Sequence, residues 1–130
     1  MTEQSYILYI EDERATIKLV QEMLHLSGFH VIGATSGEEG LNLMRDHKPD
    51  LLLLDLMMPN TSGFDVYRTM KNDRTLRDIP VIIISAKIPA DNYTIIAELP
   101  PVDDYVTKPF DLNRLIRSIK KTINSTIIKA

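Results

Sequence analysis

Apolar residues in this chain come in two kinds of stretch that alternate from one end to the other. The first kind is short and unbroken: Tyr6 to Ile10, Phe29 to Ala34, Leu51 to Leu54, Val81 to Ile84 and Tyr105 to Thr107. The second kind repeats every three or four positions, as one face of a helix does. Ile17, Val20 and Leu24 share such a face, closed by Ser27-Gly28. Leu41 and Met44 share another, opened by a capping-box pattern of Ser36 with Glu39 three residues on. A third helix begins at Gly63 and runs through Phe64, Tyr67 and Met70. A fourth runs through Tyr93 and Ile96 and stops at Leu99-Pro100-Pro101, because proline cannot continue a helix. Leu112, Leu115, Ile116, Ile119 and Ile123 make the last stripe, with Asp111 placed as its N-cap.

Strand followed by helix, five times over, predicts one α/β domain over residues 1–130: a doubly wound, parallel, five-stranded sheet between two layers of helices, joined by right-handed crossovers. The runs Leu51–Leu54 and Val81–Ile84 leave no face for water, so both read as central strands. Asp55 follows the leucines directly and is carried to the carboxyl rim of the sheet, where open α/β sheets bind ligands.

Composition narrows the picture by exclusion. With 44% hydrophobic residues in 130, disorder is not expected, and a net charge of −3 argues against nucleic-acid binding as the main task. The absence of cysteine excludes disulfides, thiolate catalysis and thiolate metal sites, and fits a reducing, cytoplasmic setting. The polar segment Met1-Thr2-Glu3-Gln4-Ser5 has no basic region followed by an apolar stretch, so no signal peptide is expected, and no apolar run approaches the ~18–20 residues that span a bilayer.

The candidate chemistry lies at the strand ends. Strand one ends in Glu11 and Asp12, strand three in Asp55, strand four in Ser85 and strand five in Lys108. In a parallel sheet all of these reach one edge. Taken singly each has an ordinary reading: a solvated turn for the acids, a cap for Ser85, a surface charge for Lys108. Taken together they are the parts of a phosphoryl-transfer site, in which positioning and charge neutralisation do most of the catalysis. Three converging carboxylates call for a hard cation, Mg²⁺ or Mn²⁺, rather than zinc. Asp55 can serve as nucleophile, Lys108 as counter-charge and Ser85 as donor to a phosphoryl oxygen.

Five segments carry a family resemblance: Tyr6-Ile7-Leu8-Tyr9-Ile10-Glu11-Asp12-Glu13, Leu52-Leu53-Leu54-Asp55-Leu56-Met57-Met58-Pro59, Ser62-Gly63, Ile79-Pro80-Val81-Ile82-Ile83-Ile84-Ser85-Ala86 and Asp104-Tyr105-Val106-Thr107-Lys108-Pro109-Phe110. Together they make the chain resemble the receiver domain of two-component response regulators, of the chemotaxis-regulator-like kind. The resemblance implies a flavodoxin-like three-layer α/β/α fold with strand order 2-1-3-4-5. It implies that Asp55 accepts a phosphoryl group from a sensor histidine kinase or phosphotransfer protein, and that the domain catalyses this transfer and the later hydrolysis. Mg²⁺ would be held by Glu11, Asp12, Asp55 and the backbone carbonyl of Met57. Lys108 would pair with the phosphoryl group, with the Lys108–Pro109 bond cis. Ser85 and Tyr105 would form the switch, altering the surface of the fourth helix, fifth strand and last helix for a downstream protein or fused output domain. Oligomeric state is left open between a monomer and a phosphorylation-dependent homodimer, and no output domain is expected in this chain.

Departures from the family pattern are few. Glu11-Asp12 stands where two aspartates are commonest, and Leu99-Pro100-Pro101 stands where a Gly-Ala pair is usual. Met57 and Lys87 occupy positions that tune phosphoryl lifetime, and Met57 has no group to orient an attacking water, so a long-lived acyl phosphate is expected. The last helix and tail carry Arg114, Arg117, Lys120, Lys121 and Lys129, read as a solvated face and helix-dipole partners. Three rivals are weighed. A haloacid-dehalogenase-type hydrolase needs an aspartate where Met57 stands. A flavodoxin relative needs a phosphate cradle where Glu11-Asp12-Glu13 stands. A phosphorylation-independent receiver-like interaction module usually lacks the phosphoacceptor, the acids or the lysine, all of which this chain has.

Overall fold

The computed structural model describes residues 6–58, 62–85 and 102–129. The chain runs β1 (Ile7–Ile10), α1 (Arg14–Leu26), β2 (Val31–Ala34), α2 (Gly37–Asp46), β3 (Leu51–Leu54), α3 (Gly63–Lys71), β4 (Val81–Ser85), β5 (Asp104–Thr107) and a last helix, Leu112–Lys129. The expected helix through Tyr93 and Ile96, its stop at Leu99-Pro100-Pro101, and Lys87 lie outside the described residues.

All four strand pairings are parallel, and the order is β2-β1-β3-β4-β5, as the resemblance implies. Strand β2 is shorter than the apolar run suggested, beginning at Val31 rather than Phe29. The turn out of α1 takes up those residues. Gly28, at φ 89°, closes a Schellman motif in which Phe29 N–H donates to Leu24 O (2.9 Å) and Gly28 N–H to His25 O (3.0 Å).

The leucine run is buried throughout, and alternation divides it between two cores. Leu52 and Leu54 pack with Leu8, Ile10, Met44, Phe64, Tyr67 and Met70 on the α2–α3 side. Leu51 and Leu53 pack with Tyr9, Ile17, Val20, Leu24, Leu115 and Ile119 on the side of α1 and the last helix. Burying a leucine or isoleucine is worth about 1.5–3 kcal/mol, so this strand is anchored from both faces. Caps set the helix starts. Ser36 Oγ accepts from Glu39 N–H (3.1 Å), and Glu39 reaches back to Thr35 N–H (2.7 Å), one residue earlier than in an ideal capping box. Asp111 Oδ1 accepts from Asn113 N–H (2.9 Å) at the start of the last helix.

Strand β5 lies at the sheet edge and is tied to the last helix by polar contacts. Asp104 takes both terminal nitrogens of Arg114 (3.2 and 3.3 Å) and the hydroxyl of buried Ser118 (2.6 Å). Burial alone would raise the Asp104 carboxyl. The bonds from Arg114, Ser118 and the Tyr105 N–H, with the guanidinium charge, hold it below the usual carboxylate range.

Candidate phosphoryl-transfer site

The sheet ladder continues one residue past three strands, and those residues are functional candidates. Glu11 N–H donates to Ala34 O (2.9 Å), Asp55 N–H to Ile10 O (3.1 Å) and Lys108 N–H to Ser85 O (2.8 Å). Their side chains are thus mounted on the rim by the same bonds that hold the sheet together. The order in which strands are added to the sheet reverses between β1 and β3, which is where open α/β sheets leave a crevice. Glu11 and Asp12 stand on one side of that point and Asp55 on the other.

The rim groups converge. One carboxylate oxygen from each of Glu11, Asp12 and Asp55 lies within 4.8 Å of the others. Glu11 is 1% exposed and Asp55 3%, whereas Asp12 is open to solvent. Lys108 Nζ lies between the two buried acids, 3.1 Å from Asp55 Oδ2 and hydrogen-bonded to Glu11 Oε1. The other Asp55 oxygen accepts from Met57 N–H (3.0 Å), which orients the carboxylate. The Lys108–Pro109 bond is cis.

Electrostatics follow from this arrangement. Burial alone would raise the Glu11 carboxyl. Hydrogen bonds from Lys108, Asp12 and the Glu13 N–H, and the ammonium charge, bring it below its ordinary value. Asp12 is raised, by its hydrogen bond with Glu11, by burial and by the Glu11 charge. Burial alone would lower the Lys108 ammonium, but its contacts with Glu11 and Asp55 raise it, so it stays cationic. The donor set is all hard oxygen and carries more negative than positive charge, which fits Mg²⁺ or Mn²⁺.

Ser85 sits at the end of β4, 4% exposed, and among the described residues its Oγ is the buried side-chain oxygen with no hydrogen-bond partner. A buried hydroxyl left unpaired costs about 1–3 kcal/mol, and an incoming anionic oxygen would recover it. Tyr105, on the strand paired with β4, is 42% exposed. Met57 is also exposed. The structure therefore brings Glu11, Asp12, Asp55 and Lys108 into one cluster, and places Ser85 and Tyr105 on the adjoining strands.

One residue escaped the sequence reading. Tyr9 is fully buried beneath the rim, and its hydroxyl donates to Glu11 Oε1 (3.1 Å). Burial first, and the neighbouring Glu11 charge second, push its phenol above the ordinary value, so it remains a donor. The available signal was the i, i+2 spacing, which places Tyr9 and Glu11 on one face of the same strand.

Comparison with known proteins settles the family. The model of the response regulator receiver domain matches residues 7–120. The chain belongs to the receiver-domain family of two-component response regulators. It is 35% identical over 120 residues to the phosphate regulon transcriptional regulatory protein PhoB of Pseudomonas aeruginosa, covering 92% of this chain and 52% of PhoB. The chain therefore spans about half the length of that relative. It is also 35% identical over 114 residues to the polar-differentiation response regulator DivK of Brucella ovis, covering 88% of this chain and 92% of DivK. A CheY-like receiver domain protein from Methanospirillum hungatei shares the fold with a TM-score of 0.87 at 20% identity, over 98% of this chain and all of that one. Among the described residues no helix of this receiver domain is long and apolar enough to cross a membrane.

Proposed function

We propose that this receiver domain is a phosphorylation-driven switch in which Asp55 is the phosphoacceptor. The observation that carries the reading is the pairing of a buried, oriented Asp55 carboxylate with Lys108 on one side and two further acids on the other. Asp55 Oδ would attack the phosphorus of a phosphohistidine on a sensor kinase or phosphotransfer protein. The P–N bond breaks and the imidazole leaves as the acyl phosphate forms on Asp55. Glu11, Asp12, Asp55 and the Met57 carbonyl would hold Mg²⁺, which when bound neutralises charge between the carboxylate and the phosphoryl oxygens. Lys108 supplies a second positive charge from the protein itself. It already contacts Asp55, so it needs little movement to follow the transferred group.

Readout runs through Ser85 and Tyr105. The Ser85 hydroxyl is poised to donate to a phosphoryl oxygen, and its movement would open space for the Tyr105 ring to turn inward. That would reshape the outer surface of β5 and the last helix, which a downstream protein or a fused output domain would read. The long-lived acyl phosphate follows from Met57, which offers an attacking water no hydrogen-bonding side chain.

The test is incubation with acetyl phosphate and Mg²⁺, read by intact mass, with Asp55→Asn as control. The wild type gains one phosphoryl group and the variant none. No gain by the wild type, or an equal gain by the variant, overturns the reading.

A further inference from the structure

Glu11 is held more completely than any other acid at the rim. Its Oε1 accepts from the Tyr9 hydroxyl at 3.1 Å and from Lys108, and its Oε2 accepts from the Glu13 N–H at 3.2 Å. Asp12, its neighbour, is solvent-exposed and lacks such a cage. A glutamate has one more rotatable bond than an aspartate, so a carboxylate at this position has more freedom to lose on binding a cation. Tyr9 removes part of that freedom in advance. Its ring is packed in the core beside Ile17, Leu53 and Leu115, fully buried, so its hydroxyl has a fixed origin beneath the rim. Groups that hydrogen-bond a metal ligand orient it and raise its affinity for the ion.

We infer that Tyr9 is a positioning residue for the divalent cation, holding the Glu11 carboxylate in the place from which it ligates. The inference rests on reading Glu11, Asp12 and Asp55 as the cation site, and its test separates the two. A purely structural role for the phenol, satisfying a buried hydroxyl, would affect stability and leave metal affinity alone.

The experiment is a Mg²⁺ titration followed by the backbone amide shifts of residues 11–13 and 55–57, on the wild type, Tyr9→Phe, Glu11→Asp and the double variant. Tyr9→Phe keeps the ring and removes only the donor. Its affinity for Mg²⁺ falls about 10-fold. Glu11→Asp draws the carboxylate back by about 1.5 Å, out of reach of the phenol, so adding Tyr9→Phe to it changes nothing further. Wild-type affinity in Tyr9→Phe overturns the inference, and so does an equal loss in both backgrounds. Failure of the wild type itself to bind Mg²⁺ overturns the site reading and the inference with it. A second measurement needs no variant: the ¹³C resonance of the Tyr9 Cζ in the wild-type protein shifts on adding Mg²⁺, and an unmoved resonance overturns the inference.

Discussion

Gly63 opens α3, and its N–H donates to Leu56 O at 3.2 Å, tying the helix start to the segment just beyond Asp55. A Cβ at this position would lie 2.3 Å from the Asp55 carbonyl oxygen and 2.6 Å from the Leu56 Cα. Ordinary contact needs about 3.4 Å or more, so Gly63→Ala forces a backbone shift of about 1 Å. The obstructing atoms are main chain and cannot rotate aside. They are also pinned to β1 by the bond from Asp55 N–H to Ile10 O. Overpacking of this kind costs about 1–3 kcal/mol, and the rigid neighbours place it near the top of that range. For a domain of 130 residues, each kcal/mol lowers the melting temperature by about 4 °C, so a loss of about 8–12 °C is expected. A displacement of about 1 Å at the nucleophile slows the chemical step by up to about 100-fold. Gly40→Ala is the control. Its Cβ would also come within 2.3 Å of the Ile10 Cδ1 and 2.6 Å of the Ile10 Cγ1, but these are side-chain atoms rather than main chain, so the clash is relieved without moving the backbone at Asp55. Alanine also favours the helix interior by about 1 kcal/mol. Thermal melts and phosphoryl loading from acetyl phosphate check both variants. If Gly63→Ala melts within about 2 °C of the wild type and loads at its rate, the reasoning from backbone contact is wrong.

Removing the cation by Lys108→Met leaves two buried carboxylates without their partner, a loss of about 3–5 kcal/mol in metal-free buffer. Mg²⁺ then stabilises the variant more than the wild type. Denaturant melts with and without Mg²⁺ decide this, and a loss under about 1 kcal/mol refutes it. Arg114→Gln tests the Asp104 tie. The folded Asp104 carboxyl lies below its ordinary value, so its contribution is present above the unfolded carboxylate pKa and lost as pH falls through the folded one. The melting-temperature gap between wild type and Arg114→Gln is therefore widest near neutral pH and closes in acid, and a gap independent of pH refutes the assignment. For Met57, the acyl phosphate decays slowly in the wild type and faster in Met57→Gln, whose amide can orient a water. A wild-type half-life of seconds, followed by intact mass after removal of acetyl phosphate, defeats that expectation.

The identity of the elements was legible because period and punctuation agreed. Ile17, Val20 and Leu24 are the residues α1 buries, and Ser36 and Asp111 cap the helices they were expected to cap. The start of β2 was misplaced because Phe29 looks like a strand residue, while the Schellman turn at Gly28 claims it first. The site was legible as a set of strand ends, since a parallel sheet delivers all such ends to one rim. Its internal wiring was not. Nothing in the spacing of Glu11, Asp55 and Lys108 says that one ammonium contacts both acids, or that the Ser85 hydroxyl is buried without a partner.

The sequence by itself determined the succession of the described strands and helices along the chain, the burial of Leu51–Leu54 on both faces, and the residue type presented at each strand end. These depend on patterns of two and of 3.6 residues, which are local. Tertiary structure decided which groups share a hydrogen bond, which carboxylate is dry and which is wet, and that the hydroxyl of Tyr9, inside an apolar strand, reaches Glu11 at the rim. Those outcomes depend on distances between residues up to 97 positions apart, as with Lys108 and Glu11. Only the packed sheet fixes such distances.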